Sequence, residues 1–247
     1  MNQKIKLNKL LIAFSILLST GCNASTTEIA PYFNKENQST AFFDNALILT
    51  SASDFSSALD KRWDYPVELK HETQNNSSVS SCQQLKQSIK NGFTAAKNYE
   101  YSFVKAQSAI CSTWEQQSHF APSRVSYLNT LKLDESFANQ APTALALTIS
   151  DEQKVKAKTA SSWNDFSKII KVISNSDTQS TYYDQTGGIQ RLSLMAKGDY
   201  NGDGIEDCLL FMENSVEGGS YSSTEVYIIT RMSVDGPLTL INKVRDI

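Results

Sequence analysis

The sequence predicts an α+β protein in which a helical N-terminal part packs with a C-terminal antiparallel β-meander. Glycine is nearly confined to the last quarter: only Gly92 lies between Cys22 and Thr186, whereas eight glycines lie between Gly187 and Gly236. Helices disfavour glycine and tight turns need it, so the first part is expected to be helical and the last part turn-rich β structure. Apolar residues also change from helical spacing to alternation with period two near Leu192.

The first 21 residues have the features of an export signal. Three lysines, at positions 4, 6 and 9, precede an apolar run from Leu10 to Leu18. Crossing a bilayer takes roughly 20 apolar residues, so this shorter run is typical of a signal-peptide core. Residues 1–21 are therefore predicted to direct export and to be removed.

The end of this segment resembles the lipobox of bacterial lipoproteins. It reads Leu18-Ser19-Thr20-Gly21-Cys22, with a small residue before the cysteine and with Ser19 where the family usually has leucine. The resemblance implies that Cys22 is lipidated and becomes the N-terminus. Cleavage near Cys22 by an ordinary signal peptidase is the alternative, and both routes export the protein.

The predicted location is the cell envelope. Asn23 stands where an aspartate would resemble the inner-membrane retention signal, so the resemblance implies an outer-membrane lipoprotein that faces the periplasm. Residues 22–40 are polar and include Pro31, which predicts a lipidated tether. The acidic body offers no electrostatic attraction to anionic lipid, so the lipid anchor is the only expected membrane contact.

Residues 41–160 are predicted to be mainly helical. Two stretches carry apolar residues at spacings of three and four, namely Cys82, Leu85, Ile89 and Phe93, then Phe103, Ala106, Ile110 and Trp114. Asn91-Gly92 is expected to end the first helix and Asn98 to cap the second. Before them, 46–50 is a strand candidate and 75–78 a predicted loop.

Residues 161–247 are predicted to hold one helix followed by the antiparallel sheet. The helix has Ser162 and Asp165 arranged as a capping box, and its apolar positions are Trp163, Phe166, Ile169, Ile170 and Ile173. Strands are expected at 192–196, 208–212, 226–232 and 238–241, because turn residues separate these segments. Consecutive strands joined by such turns make a meander.

The cysteines predict one disulfide. Cys82, Cys111 and Cys208 remain after the lipidated cysteine, and an oxidising compartment favours one bond with one thiol left over. Cys82 lies ten residues before Gly92, and Cys111 lies thirteen residues after Asn98. An antiparallel helical hairpin would therefore place Cys82 beside Cys111. Cys208 is expected to be a buried small residue.

One loop has the composition of a calcium site. Residues 198–207 read GDYNGDGIED and place oxygen-bearing side chains at alternate positions, which suits a hard cation that needs six to eight oxygens. The loop resembles the Asp-x-Asp-x-Asp-Gly calcium loops, including the short type in integrin-like repeats of exported bacterial proteins. The resemblance implies a structural Ca²⁺ held by the side chains of Asp199, Asn201, Asp203 and Asp207 and by the carbonyl of Ile205.

A metal-free loop is the alternative interpretation. Asn201-Gly202 and Asp203-Gly204 are both strong hairpin-turn dipeptides without any metal. The resemblance covers about ten residues and a single copy, so it does not imply a propeller. An EF-hand is not favoured, because Leu210 stands where that motif needs a bidentate glutamate.

Composition and motifs also bear on the class of function. The net charge is −3 and the sequence pI is about 5.5, which argues against nucleic acid as a partner. The two histidines, His71 and His119, form no zinc motif, and no nucleophile elbow or phosphate-binding loop is present. No catalytic residue is therefore assigned.

The predicted function is binding without turnover. A small, tethered, acidic chain without a catalytic motif resembles, as a class, the immunity lipoproteins that inhibit toxic or lytic enzymes in the periplasm. The expected partner is another exported protein. An envelope hydrolase acting on glycan or lipid, with scattered catalytic residues, is the competing hypothesis, and a structural or assembly lipoprotein is a third.

Overall fold

The computed structural model describes residues 27–35, 42–45 and 47–245. In that part the chain has six α-helices and ten strands arranged in two antiparallel sheets. The predicted α+β class with a C-terminal antiparallel meander is confirmed. The predicted signal peptide and Cys22 lie outside the described residues. Among the described helices, none has the length and apolar composition needed to cross a membrane.

Three helices and a small sheet make up the first part of the chain. The helices are α1 (Ala52–Asp60), α2 (Cys82–Lys90) and α3 (Tyr101–Gln117). A small sheet pairs β2 (Val67–Lys70) with β3 (Ser77–Val79) on one side and β4 (Thr94–Ala95) on the other. The helices pack on one another and share one apolar core with this sheet.

The ends of α2 follow from its local sequence. The Oγ atom of Ser81 accepts a hydrogen bond from the backbone N–H of Gln84 at 3.2 Å, which satisfies one of the unpaired donors of the first turn. The helix ends at Asn91 and Gly92, and Gly92 has φ of +88°, as predicted. Asn98 does not cap α3: it begins a 3₁₀ turn, Asn98–Glu100, that continues directly into that helix.

The predicted helical region, 41–160, contains five of the six described helices, but its segment 121–150 is largely irregular. The segment 121–150 contains only one four-residue helix, α4 (Phe137–Gln140), and a 3₁₀ turn at Thr143–Leu145. It includes two prolines, which cannot donate a backbone hydrogen bond and disfavour helix in the preceding residue. Residues 47–50 form no strand, and Ala46 lies outside the described residues. Ser77 and Ser78, predicted as a loop, belong to β3.

The predicted helix after Ser162 is much shorter than expected. After α5 (Asp151–Ala157), helix α6 spans only Trp163–Phe166, and Ile169–Ser176 forms strand β5. The cap itself is present, since the Ser162 Oγ accepts from the backbone N–H of Asp165 at 3.1 Å. The isoleucines and valine that follow are β-branched, and such residues favour a strand when a sheet edge is available for pairing.

The large sheet has seven antiparallel strands. Its remaining members are β1 (Tyr32–Phe33), β6 (Gln179–Asp184), β7 (Gly188–Gly198), β8 (Asp207–Val216), β9 (Ser222–Arg231) and β10 (Leu238–Arg245). The order is β10-β9-β8-β7-β6-β5, so neighbours in sequence are neighbours in space. Because β6 pairs with β7 only as far as Ser193, the end of β7 is free to pair with β1.

The N-terminal segment does not behave as the predicted tether throughout. Tyr32 and Phe33 pair with Lys197 and Ala196 of β7, and Ile29 forms a bridge with Ser123. Phe33 is buried in the core beneath the helices. Residues 27–35 are therefore part of the folded domain, because pairing with β7 satisfies backbone groups and buries an aromatic ring.

The large sheet has a different core on each face. On one face, residues such as Leu209, Val226 and Ile228 join the cluster formed by the helices. On the other face, Leu210 and Tyr227 join residues of the segment 128–169. Alternate strand residues point to opposite faces, so one meander supports both cores.

Candidate metal loop and binding groove

The predicted calcium loop connects the end of β7 to the start of β8. Both carboxylate oxygens of Asp199 accept backbone hydrogen bonds within the loop: Oδ1 from Gly202 and Oδ2 from Gly204, each at 2.7 Å. Gly202 and Gly204 have φ of +82° and +84°. A side chain other than glycine rarely adopts this conformation, so both turns depend on these glycines.

The middle of the loop is also held by its own polar side chains. Asp203 Oδ1 accepts from the backbone N–H of Ile205 at 2.7 Å, and Asn201 Oδ1 accepts from that of Asp203 at 3.1 Å. The amide nitrogen of Asn201 donates to the second carboxylate oxygen of Asp203 at 3.0 Å. Asn201 and Asp203 are exposed, so both remain accessible from solvent.

Asp207 is the buried member of the set. Its side chain has no exposed surface, and Oδ2 accepts from the backbone N–H of Tyr200 at 2.9 Å. The other oxygen, Oδ1, is buried without a hydrogen-bond partner in the described part of the chain. Burial, with a smaller effect from the charges of Asp203 and Asp199, raises the pKa of Asp207 to about 6; the Tyr200 N–H and the nearby Thr230 hydroxyl, itself buried without a hydrogen-bond partner, act to lower it. A buried carboxylate oxygen without a partner is costly.

The donor chemistry of the loop fits a hard cation. It offers carboxylate, amide and backbone carbonyl oxygens, and one buried carboxylate oxygen is left unsatisfied. In the described residues, no three His, Cys, Asp or Glu side chains already form a group that could hold a metal ion. The predicted set depends on Asn201 and the carbonyl of Ile205 as well as on the three carboxylates.

A neighbouring segment packs directly against the loop. Ala121 exchanges two backbone hydrogen bonds with Asp199, both at 2.9 Å. The backbone N–H groups of Arg124 and Val125 donate to the Gly204 carbonyl, and the Arg124 guanidinium donates to the Asp203 carbonyl at 3.3 Å. A Cβ atom at Gly204 would collide with that guanidinium. The sequence did not reveal Arg124, because 79 residues separate it from Asp203.

The same segment joins the loop to the N-terminal end of the domain. Ser123 exchanges backbone hydrogen bonds with Ile29 at 2.7 and 3.0 Å, two residues from the pairing of Ala121 with Asp199. The N-terminal segment 27–35 therefore lies beside the loop of residues 199–207, which is called the acidic loop below.

A groove lies between α3 and the sheet, where the sequence predicts a buried stripe. Phe103 is 51% exposed, and Ala106 is also exposed. Ile110 is half-buried, and only Trp114, at 1%, is fully in the core. The groove has a volume of about 260 Å³. Its apolar lining consists of Ala106, Ala109, Ile110, Trp114, Met195 and Phe211.

Polar strand residues complete the floor of the groove. The side-chain amide of Gln179 donates to the Ser193 Oγ at 2.8 Å, and both line the groove. Glu213, also a lining residue, receives two hydrogen bonds from Arg191 at 2.6 and 2.7 Å. Two parallel hydrogen bonds are the strong form of an arginine–carboxylate pair. The pair therefore holds both charged side chains in place at the floor of the groove.

Aromatic side chains surround the start of α3. Tyr99 is 78% exposed and Tyr101 is 54% exposed. The Lys97 ammonium lies 5.5 Å from the ring centroid of Tyr99, and the Lys105 ammonium 5.9 Å from that of Tyr101. Large exposed aromatic groups of this kind often mark an interaction surface.

The remaining candidate residues have structural surroundings. Cys82 and Cys111 are at disulfide-bonding distance between α2 and α3, with Cα atoms 5.3 Å apart. Cys208 is a buried free cysteine, and burial raises the pKa of its thiol to about 12. His71 packs against Phe93, and His119 against Tyr200.

No protein-family model, curated protein or solved structure matches this chain.

Proposed function

We propose that the protein is an exported, lipid-anchored binding protein of the bacterial envelope, whose partner is another exported protein. The observation that supports this is the groove beside α3, where an apolar helical stripe of core type remains open to solvent. Exposing such a stripe is unfavourable unless a partner covers it.

The aromatic start of α3 and the loop 199–207 lie at opposite ends of that helix. The last turn of α3 lies near the acidic loop, since Tyr200 donates to Gln116 at 2.7 Å. The helix has 17 residues, which corresponds to about 25 Å at 1.5 Å per residue. Its aromatic start therefore lies about one helix length from that loop.

The immunity-type inhibitor is the most specific form of this proposal. In that form the groove binds an exported toxic or lytic enzyme and prevents its action while the anchor keeps the inhibitor in the envelope. A stoichiometric complex with one exported protein is the expected property. An envelope hydrolase would act without such a partner.

The proposal is tested by affinity capture with the soluble Cys22→Ser protein from envelope and secreted extracts of the source organism. Recovery of one exported protein near one-to-one, followed by inhibition of its activity in a purified assay, is the expected result. If nothing is recovered above background, the binding proposal fails, and turnover of glycan and lipid substrates becomes the question to measure.

We also propose that the loop from Asp199 to Asp207 binds a structural Ca²⁺. The unsatisfied Oδ1 of buried Asp207 and the oxygen-rich set around it support this. The metal would hold the loop between β7 and β8 in its folded conformation. It would thereby stabilise the end of the sheet on which the N-terminal segment docks. It would neutralise the charge of the carboxylates there and would take no part in a reaction.

Thermal unfolding of the Cys22→Ser protein with calcium or with chelator tests the metal site. A ligand that binds only the native state must raise stability, by about 2.7 kcal/mol at a concentration 100 times its Kd. Asp203→Asn should abolish the calcium-dependent rise in Tm, while Asp235→Asn, in the exposed turn after β9, should preserve it. An unchanged Tm at saturating calcium contradicts the proposal.

A further inference from the structure

We infer that Ca²⁺ binding in the acidic loop and docking of the N-terminal segment 27–35 on the large sheet stabilise each other. This inference rests on the proposed Ca²⁺ site and adds a conformational consequence of binding. In a lipid-anchored protein, the cation would then decide whether residues 27–35 belong to the folded domain or to the tether. The basis is a short segment, residues 121–125, that is hydrogen-bonded to both the loop and the N-terminal segment.

The segment 121–125 is bonded to both ends of the acidic loop. At the start of the loop, Ala121 exchanges two backbone hydrogen bonds with Asp199, both at 2.9 Å. At its end, the Val125 carbonyl accepts from the backbone N–H of Glu206 at 2.8 Å. The segment can keep these bonds together only while the two ends of the loop hold a fixed separation.

The N-terminal segment docks partly on those same residues. Ser123, which lies between the two attachments to the loop, exchanges backbone hydrogen bonds with Ile29 at 2.7 and 3.0 Å. Further along the segment, the Asn34 N–H donates to the Met195 carbonyl of β7 at 2.9 Å. Part of the docking surface for residues 27–35 therefore depends on the conformation of the acidic loop.

A bound cation would act directly on the separation of the loop ends. The proposed ligands lie at both ends, since Asp199 is the first of them and the Ile205 carbonyl and Asp207 are the last. Oxygen ligands of Ca²⁺ lie about 2.3–2.6 Å from the ion, so one ion bound by all of them holds the ends together. Without it, the carboxylates of Asp199, Asp203 and Asp207 repel one another, and the Arg124 guanidinium beside Asp203 offsets only one of these charges.

One observation indicates a ligand in this set and not a group of acids alone. The side chain of Asp207 is fully buried, and its Oδ1 has no hydrogen-bond partner in the described part of the chain. Coupling between a ligand and a docked segment is reciprocal. If Ca²⁺ favours docking, then loss of docking must weaken Ca²⁺ binding by the same factor.

The first test compares Ca²⁺ affinities by titration calorimetry in the Cys22→Ser protein and in variants that undock the segment. Phe33→Ala removes the buried ring of the segment, and Phe137→Ala, which removes an equally buried ring from the other core, is its matched control. Ile29→Pro removes the hydrogen bond that Ile29 donates to Ser123 without changing the core. Its control is Thr27→Pro, at an exposed position. Circular dichroism verifies that each variant is folded.

We expect Phe33→Ala and Ile29→Pro each to weaken Ca²⁺ binding at least fivefold. The controls, Phe137→Ala and Thr27→Pro, should change it less than twofold, because neither touches the contacts of residues 27–35 with β7 or with 121–125. If Phe33→Ala does not fold, Ile29→Pro and its control decide the result.

Hydrogen exchange of the Cys22→Ser protein provides a second, independent measurement. The N–H groups of Ile29 and Asn34 should exchange at least fivefold more slowly with Ca²⁺ than with chelator, because docking buries them in hydrogen bonds. Asp203→Asn should remove this difference, whereas Asp235→Asn should preserve it.

The outcomes separate this inference from the proposed metal site. If Ca²⁺ raises the Tm of the Cys22→Ser protein but binds Ile29→Pro and Phe33→Ala with unchanged affinity, the coupling is wrong and the metal site stands. An equal loss of affinity in Phe137→Ala would assign the effect to general stability and would also overturn the coupling. If Ca²⁺ neither binds the Cys22→Ser protein nor raises its Tm, the metal site and the coupling fail together.

Discussion

The two faces of the large sheet are covered in different ways. On one face, α1, α2 and α3 form the cover, and a disulfide-bonding pair joins two of these helices. On the other face, the cover is the segment 121–168, which has little regular structure. The helical cover leaves a groove of about 260 Å³ beside α3. The irregular cover packs on strands β6 to β9 but leaves a wider groove, of about 830 Å³, between residues 132–136 and β5.

The difference between the two covers follows from how their backbone N–H and C=O groups find hydrogen-bond partners. A helix satisfies its own backbone groups, so it needs only apolar contact with the sheet. An irregular buried segment must find partners elsewhere. Gln190 on β7 supplies them: its amide donates to the Leu145 carbonyl at 2.8 Å, and its oxygen accepts from the Leu147 N–H at 3.2 Å. Buried polar strand residues therefore hold the irregular cover in place.

The largest expected loss of stability comes from removing the ring of Trp163, at the centre of the irregular cover. Trp163 is fully buried, with its ring centroid 4.7 Å from that of Tyr182 and 6.4 Å from that of Phe137. Trp163→Ala should lower the free energy of unfolding by about 3–5 kcal/mol, because it leaves a cavity. Urea denaturation measures this. Ile149→Ala, at an exposed position of the same segment, is the control and should cost less than about 0.5 kcal/mol.

The next effect concerns the helical cover. Replacing Cys82 and Cys111 together by alanine should lower the free energy of unfolding by about 3 kcal/mol, because the bond restricts the unfolded chain. Hydrogen exchange should show the loss of protection first in α2 and α3, with the segment 121–168 affected less. Reducing agent should destabilise the native protein and leave the double variant unchanged. Equal stability of both proteins before reduction would contradict the bond.

A buried carboxylate tests how the irregular cover responds to pH. Burial raises the pKa of Asp184, but hydrogen bonds from Thr186, Gly188 and Ser167 together outweigh it and lower the pKa below its usual value. The stabilisation is therefore complete above the unfolded-state pKa and is lost as pH falls through the lower native value. Asp184→Ala should cost about 1–3 kcal/mol at pH 7, since four donor groups lose their acceptor.

The difference between Asp184→Ala and the native protein should shrink as the pH is lowered below about 4. Denaturant unfolding at pH 7 and pH 3 measures it. Asp177→Ala, at an exposed position in the turn between β5 and β6, is the control and should show a small difference at both pH values. A difference for Asp184→Ala that grows at low pH would reverse the sign and contradict the explanation.

The smallest effect is expected for filling the groove. Ala106→Trp should change the free energy of unfolding by less than about 0.5 kcal/mol, because the groove is open. On the other face, Ala141→Leu should cost about 1–3 kcal/mol, because Ala141 is fully buried in a filled core. Denaturant unfolding of both variants compares them. Equal losses would show that the two faces are packed alike.

The sequence predicted those parts of the fold that depend on neighbours along the chain. Alternating residues and glycine turns predicted the meander, and the spacing of Leu85 and Ile89 predicted α2. It failed where pairing with a distant strand decided the outcome. Ile169 and Ile173 fit a helical period, but pairing with the edge of β6 places them in strand β5 instead.

The candidate site divides in the same way. The order of oxygen-bearing residues in 199–207 is local, so the sequence was sufficient to predict which side chains belong to the loop. Arg124 beside Gly204 and the unsatisfied oxygen of Asp207 arise from packing against distant segments, and no local pattern indicates them. The period of α3 identified an apolar face at Phe103 and Ala106 but carried no information about what covers it.

The sequence by itself therefore determined the α+β class, the meander and the membership of the acidic loop. Only the tertiary structure decided that residues 27–35 join the sheet beside that loop, that the segment 121–168 covers one face with only short helices, and that the stripe on α3 remains open. The physical reason is the range of the interactions. Backbone preference and periodicity act over a few residues, whereas burial and polar partners are set by segments that are far apart along the chain.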